Sequence, residues 1–103
     1  MIVTAIFEAK PGKAAELRAQ LHAGAVESWK ESGVRAYTVH ELIDKPGTFM
    51  NIEVYGSEAD FESHLETAHV KSFIGMLDEL LAKPLTVYKA SAIFAGENPK
   101  SAL

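Results

Sequence analysis

The sequence contains no cysteine among its 103 residues. Disulfide bonds, thiolate nucleophiles and cysteine-based zinc sites are therefore excluded. Basic side chains are also few, since 10 lysines and arginines against 14 acidic residues give a net charge of −4, without runs of like charge. Nucleic-acid binding needs a basic surface that neutralises phosphates, so this balance argues against nucleic acid as a partner.

Long hydrophobic runs are missing as well. No apolar stretch of the sequence approaches the roughly 20 residues that a membrane-spanning helix needs, and the N-terminal segment MIVTAIFEAK lacks the basic-then-apolar order of a signal peptide. We therefore expect a cytoplasmic protein that does not bind a membrane. The seven glycines are scattered among turns and form no phosphate loop, nicotinamide fingerprint or flavin fingerprint. Any chemistry is expected to be cofactor-free or to use a loosely bound ligand.

The hydrophobic periodicity that remains predicts one domain of the order βαββαβ. Alternation predicts strands over residues 1–9, 34–43, 48–55 and 85–95. Apolar residues three or four apart predict one helix from Ala14 to a left-handed Gly33, and a second over 58–82 that is broken near Thr67. This order is the ferredoxin-like α+β arrangement, a four-stranded antiparallel sheet with helices on one face. We expect a domain over 1–95 and a tail over 96–103.

The first predicted strand, over residues 1–9, is largely apolar on both of its faces. The predicted helices cover only one face of the sheet, so the other face needs a second cover. The simplest cover is the sheet of a second copy of the chain, stacked by two-fold symmetry. The sequence therefore predicts a homodimer formed through the sheet faces.

Titratable side chains are dense between Phe49 and Phe73. His64 borders the apolar stripe of its helix, so it is either a general base or a helix-edge histidine bonded to a carbonyl or to solvent. Glu53 lies in the middle of a strand that we expect to be covered on both faces, and a buried carboxylate needs a partner. His64 is the nearest candidate partner in the sequence, which makes the two residues a candidate pair across strand and helix.

The other histidines offer weaker signals. His69 follows His64 by five residues, whereas metal-binding pairs on one helix are three or four apart. This spacing places the two rings on different sides of a regular helix, so we predict no metal site, although the helix break weakens the argument. His22 is expected to face solvent. A four-residue loop over 44–47 would place His40 opposite Asn51 and Thr38 opposite Glu53, and a change of one residue would reverse this.

Two aromatic residues are open to two interpretations each. Trp29 ends the apolar stripe of the first helix, where it either joins the core or walls a pocket. Tyr37 on the second strand has the same two alternatives.

Several of these features together resemble the antibiotic biosynthesis monooxygenase domain, over nearly the whole chain up to about residue 95. They are KPGK before the first helix, ESG after it, Tyr37, and the series Phe49…Glu53-x-Tyr55…Phe61-x-x-His64…Thr67…His69…Phe73. The resemblance implies a dimeric α+β barrel of two stacked sheets, with a pocket between each sheet and its own helices.

Activities in this family are mixed. Some members oxidise polycyclic phenols or quinols with O2 and without metal or flavin, and one branch, with a similarly spaced glutamate and histidine, processes a phosphorylated autoinducer. A haem-degrading branch uses Asn, Trp and His at positions that align here with Thr4, His64 and Ile74, so haem degradation is set aside.

The resemblance thus implies a cofactor-independent monooxygenase that oxidises a small quinol or hydroxyaromatic ligand. His64, held by Glu53, would take a proton from the substrate hydroxyl. The pocket would be shaped or lined by Tyr37, Trp29, Asn51, Phe73 and Thr4. Two alternatives stay open: an isomerase or aldehyde-processing enzyme for a small signal molecule, and a non-catalytic dimeric ligand-binding domain.

Overall fold

The computed structural model describes all 103 residues as an α+β fold. The elements are β1 (Ile2–Glu8), α1 (Ala14–Ser28), β2 (Val34–Glu41), β3 (Thr48–Tyr55), α2 (Glu58–Leu65), α3 (Ala68–Leu80) and β4 (Thr86–Ala90), followed by a single 3-10 turn over Pro99–Ser101. The sheet has the order β2-β3-β1-β4, and every neighbouring pair is antiparallel. The predicted ferredoxin-like arrangement, with its second helix broken in two, is confirmed.

Two predicted boundaries differ from the structure. Helix α1 ends at Ser28, and Gly33 does not take a left-handed conformation, which only Gly12 and Gly47 adopt among the glycines. Gly33 is needed for a different reason, because a Cβ there would lie 2.6 Å from the Cβ of Asp60. Strand β4 ends at Ala90 because Ala90 pairs with Ile2, the first residue of β1, and later residues have no strand to pair with.

The main core lies between one face of the sheet and helices α1 and α3. Leu17 and Leu21 from α1 and Leu77 and Leu80 from α3 pack against Ala5, Phe7 and Phe49 of the sheet. Leu17 is fully buried, so its truncation to alanine would cost about 2–5 kcal/mol of stability. This layer fixes the position of α3 over the sheet, and with it one wall of the cavity described below.

The hairpin between β2 and β3 has a register that differs from the predicted one by a single residue. His40 pairs with Met50 and Tyr37 pairs with Glu53, so the predicted pairing of His40 with Asn51 is wrong. Residues 42–47 connect the strands, and the first of them closes the hairpin with a 2.9 Å hydrogen bond from the nitrogen of Leu42 to the oxygen of Thr48. This register places Tyr37 beside Glu53 on the face that the helices cover.

A side-chain cap begins each of the helices α2 and α3, and the cap of α3 lies at the break between them. Ser57 begins α2 by accepting a hydrogen bond from the nitrogen of Asp60, at 3.2 Å. Thr67 begins α3 by accepting from the nitrogen of Val70, and its hydroxyl also donates to the carbonyl of His64 at 2.7 Å. Capping side chains satisfy backbone groups that a helix end leaves free. The chain can therefore change direction within two residues, and both α2 and α3 direct a histidine to the same place.

The other face of the sheet carries no helix. Its central residues are half-buried and mostly apolar: Ile2, Thr4 and Ile6 of β1 and Met50, Ile52 and Val54 of β3. We call these six residues the open face. No helix of the protein has the length and apolar character that crossing a membrane requires.

Candidate active site

A cavity of about 150 Å³ lies between the sheet and the helices. Aromatic residues from three elements, Phe7, Phe61 and Phe73, line it. Its polar lining includes Tyr37 from β2, Glu53 from β3, His64 from α2 and His69 from α3. An apolar cavity with a few convergent polar groups is the usual form of a small-molecule site.

His64 is buried, with 4% of its surface exposed. Its Nδ1 lies 2.9 Å from Oε2 and 3.2 Å from Oε1 of Glu31, in the loop after α1. A carboxylate only accepts hydrogen bonds, so Nδ1 carries the proton and donates it. In the neutral ring this leaves the lone pair on Nε2, which makes no hydrogen bond within the protein. This is the tautomer that a general base needs, and His64 is one of the residues that line the cavity.

His69 donates from Nε2 to the same Glu31 oxygen, at 2.8 Å. The centroids of the His64 and His69 rings are 5.7 Å apart. The expectation that the two histidines lie on different sides of a helix is wrong, because the break at Thr67 gives them separate helices. Glu31, side-chain exposure 19%, thus holds two imidazoles with one oxygen.

Glu31, His64 and His69 are also the one group of side chains whose ligand atoms could meet a cation, since these atoms lie within 4.8 Å of one another. Both nitrogens, however, are at hydrogen-bonding distance from Oε2. A cation would have to displace both imidazole protons to bind there. The geometry therefore favours a hydrogen-bonded cluster, and the absence of a metal site remains a prediction.

Glu53 lines the same cavity and is 5% exposed. The hydroxyl of Tyr55 donates to its Oε1 at 2.5 Å. Burial raises the pKa of Glu53, although donation from Tyr55 and the charge of His64 act in the opposite direction. Glu53 makes no hydrogen bond with His64. The structure thus corrects the predicted pair: the carboxylate that holds His64 is Glu31, and Glu53 is a second carboxyl group in the same cavity.

Tyr37 stands beside Glu53 and faces the cavity. The Nδ2 of Asn51 donates to its hydroxyl oxygen at 3.1 Å, and its ring centroid lies 5.8 Å from that of His64. Burial and then the nearby charge of Glu53 raise the pKa of Tyr37. Tyr37 therefore keeps its proton at neutral pH and can act as a hydrogen-bond donor.

The other predicted pocket residues are divided among three places. Phe73 lines the cavity, while Asn51 lies behind Tyr37 and does not reach the lining. Thr4 belongs to the open face, on the far side of the sheet. Trp29 is 57% exposed and lines a separate groove between α1 and β2, about 600 Å³ in volume, together with His22 and His40.

Glu31 is the member of this cluster that no pattern in the sequence indicated. It lies 33 and 38 residues from the two histidines that it binds, so no local spacing connects them. The only signal in the sequence is an acidic residue in the segment ESG, directly after the first helix, which marked the helix end. A carboxylate beside a turn that faces a histidine-bearing helix could have been considered as a partner.

Comparisons with known proteins agree with this fold. Residues 1–75 match the profile of the family described as Antibiotic biosynthesis monooxygenase. The chain is 30% identical over 89 residues to "Putative monooxygenase YcnE" of Bacillus subtilis (strain 168), covering 86% of this chain and 94% of that protein.

Solved structures of similar sequence share the fold of this chain. Rv0793 from Mycobacterium tuberculosis is 28% identical with a TM-score of 0.80, covering 90% of this chain and 96% of that one. PA3566 from Pseudomonas aeruginosa is 27% identical with a TM-score of 0.79, covering 87% of this chain and 93% of that one. The chain belongs to the antibiotic biosynthesis monooxygenase family.

Proposed function

We propose that the protein is a cofactor-independent monooxygenase that oxidises a small quinol or hydroxyaromatic compound with O2. The observation that carries this proposal is the orientation of His64. Its Nδ1 is held by Glu31 at 2.9 Å, which leaves Nε2 as the free base of a buried, largely apolar cavity. Membership of the family supports a monooxygenase-like role.

In the proposed reaction, Nε2 of His64 removes the proton of a substrate hydroxyl. Glu31 stabilises the imidazolium that forms, as a carboxylate does for the histidine of a catalytic triad. The substrate anion gives one electron to O2, and the resulting substrate radical and superoxide combine to a peroxide. Cleavage of the O–O bond leaves one oxygen on the ring and releases the other as water. For a quinol the balance is quinol plus O2 to hydroxyquinone plus water.

The size and polarity of the cavity favour an uncharged, single-ring substrate. A volume of about 150 Å³ is close to that of engineered apolar cavities that bind benzene. The lining contains no lysine or arginine, so a phosphate group would meet no cation there. This favours a hydroxyaromatic compound over a phosphorylated signal molecule.

The two alternative functions use the same cavity. An isomerase would use His64 to move a proton without O2, so turnover under anaerobic conditions would support it. A non-catalytic domain would bind an aromatic ligand with no turnover in either condition. Turnover with and without O2 therefore distinguishes the three functions.

Oxygen uptake with a panel of quinols and phenols tests the proposal. We expect single-ring quinols to consume O2, and we expect His64→Gln to reduce the rate roughly 10²–10⁴-fold, which is the range for loss of a general base. His22→Gln is the matched control, since His22 is exposed on α1 and lies outside the cavity. Full turnover by His64→Gln would overturn the assignment of the base.

We also propose that the open face is covered by the open face of a second copy. A mostly apolar surface of six residues in the middle of a sheet is a poor solvent boundary. Stacking two such faces would produce the homodimer expected from the sequence and the dimeric barrel that the family resemblance implies, with one cavity in each subunit.

A further inference from the structure

The amide oxygen of Asn51 stands out among the buried polar atoms. Asn51 is 1% exposed, its Nδ2 donates to Tyr37, and its Oδ1 is the one buried side-chain oxygen or nitrogen without a hydrogen-bond partner. A buried carbonyl oxygen without a donor loses its hydrogen bonds to water and gains none in return. A donor for this atom is therefore expected close by.

Glu53 can supply that donor. Residues two apart on a strand point to the same face, and the two side chains are close enough that donation from the Asn51 amide would lower the pKa of Glu53. An ionised carboxylate could only accept, as could Oδ1, and the two would repel. A neutral carboxylic acid has one O–H, and that hydrogen satisfies Oδ1.

Burial is the largest influence on the pKa of Glu53 and favours a neutral acid, whereas hydrogen bonds from Tyr55 and Asn51 and the charge of a protonated His64 act in the opposite direction. Tyr55 on the same strand donates to Oε1, which a neutral carboxyl group can also accept. His64 from α2 would favour the carboxylate only when protonated, and its Nδ1 is bound to Glu31. The negative charge of Glu31 itself disfavours a second anion in the cavity, and burial acts in the same direction.

We infer that Glu53 is a neutral acid that donates to Asn51, and that the resulting hydrogen-bond chain Tyr55–Glu53–Asn51–Tyr37 directs the Tyr37 hydroxyl proton into the cavity. Each member of the chain donates to the next. Because Tyr37 accepts from Asn51 through its oxygen, its own O–H is free to donate. Tyr37 is then the residue that stabilises the substrate anion, a role that rests on the proposed function.

Ser28 is the competing acceptor for that proton. It lies in the cavity lining within reach of the Tyr37 hydroxyl, and its own hydroxyl donates to the carbonyl of Gly24 at 2.7 Å. A hydroxyl oxygen is a weaker acceptor than an oxyanion, since hydrogen bonds to charged groups are roughly twice as strong. The proton of Tyr37 is expected to turn from Ser28 to the substrate as negative charge develops.

The opposite orientation of the Asn51 amide, with an ionised Glu53, would overturn this inference. If Glu53 were ionised, the Asn51 amide would be turned over, with Nδ2 toward Glu53 and Oδ1 accepting from Tyr37. The Tyr37 proton would then be directed away from the cavity. The two arrangements differ in one observable quantity, which is the protonation state of Glu53 at neutral pH.

Carboxyl 13C NMR of the ligand-free protein measures that state directly. We expect the Glu53 carboxyl signal, assigned through bonds and by its loss in Glu53→Gln, to be that of a neutral acid at pH 7. A signal at the carboxylate position at pH 7 would disprove the inference. The measurement involves no turnover, so it can succeed or fail independently of the monooxygenase proposal.

Binding of 4-nitrophenol, a single-ring hydroxyaromatic probe that needs no O2, tests the role of Tyr37 at the end of the hydrogen-bond chain. We expect Tyr37→Phe to weaken binding of the probe anion at least about tenfold. Tyr88→Phe, an exposed tyrosine on β4, is the matched control and should bind as the wild type does. Glu53→Gln keeps a neutral donor and should also bind normally, whereas Glu53→Leu should resemble Tyr37→Phe. Equal anion affinity in the wild type and Tyr37→Phe would contradict the assigned role.

Discussion

Glu31 and His64 are joined by a hydrogen bond of 2.9 Å between Oε2 and Nδ1, across 33 residues of sequence. The bond fixes one tautomer of the imidazole and leaves Nε2 without a hydrogen-bond partner in the protein. It also places a negative charge where an imidazolium would form. The proposed chemistry depends on this contact more than on the family resemblance, because the contact fixes which nitrogen of the buried histidine carries the proton.

Glu31→Gln should therefore reduce turnover and leave the cavity lining unchanged. Glutamine can still accept from Nδ1 but carries no charge to stabilise the imidazolium. We expect a loss in kcat of at least about tenfold, in line with the removal of carboxylates that orient histidines. Glu27→Gln is the matched control, since Glu27 is an exposed acid on α1 that pairs with Lys30. Equal losses in the two variants would show that Glu31 does not act through His64.

His69→Gln should have a smaller effect than either of the preceding variants at the site. His69 donates to Glu31 at 2.8 Å and so helps to hold the carboxylate, but the bond between Glu31 and His64 remains without it. Steady-state kinetics should give rates in the order wild type, His69→Gln, Glu31→Gln, His64→Gln, from fastest to slowest. If His69→Gln were as slow as His64→Gln, His69 would have to act on the substrate itself.

Unfolding measured against pH tests the environment of Glu53. Burial raises its folded pKa above the ordinary value of 4.5, so above pH 4.5 the unfolded chain ionises while the folded protein keeps the proton. The stability contributed by Glu53 is complete below that pH and is lost as the pH rises through the folded pKa. The free energy of unfolding of the wild type minus that of Glu53→Gln should thus fall between pH 4.5 and neutrality in urea titrations. A difference that grows with pH would mean that the fold favours the carboxylate.

A charge in the middle of the open face tests the proposed dimer. Ile52 lies between Thr4 and Thr38 in the sheet, so Ile52→Lys would place two ammonium groups in the stacked interface. We expect the wild type to sediment as a dimer and Ile52→Lys as a folded monomer. Ala23→Lys, on the exposed side of α1, should remain dimeric. A monomeric wild type at micromolar concentration would refute the stacked arrangement.

The sequence determined most of the fold because its signals are local. Alternation and helical periodicity located every strand and helix, and Ser57 was recognisable as a cap. The hairpin register was not recoverable, because a one-residue difference in a loop without a strong turn motif reverses which side chains face the core. The position of Tyr37 in the cavity follows from that register.

The candidate site was only partly predictable for a related reason. His64, Glu53, Tyr37 and Phe73 were identified, and all four line the cavity. The contact between His64 and Glu31 arises from the packing of a loop against two helices, which no spacing in the sequence encodes. The meeting of His64 with His69 depends on the turn at Thr67, where a regular helix would have separated them.

The ionisation state of bound 4-nitrophenol tests the central claim most directly. The probe absorbs differently as phenol and as phenolate, so a spectrum recorded at a pH well below its own pKa reports whether the protein takes its proton. We predict that the wild type and His22→Gln bind the probe as the phenolate, and that His64→Gln binds it as the neutral phenol. A neutral bound probe in the wild type, or a phenolate in His64→Gln, would contradict the account of His64 as the base.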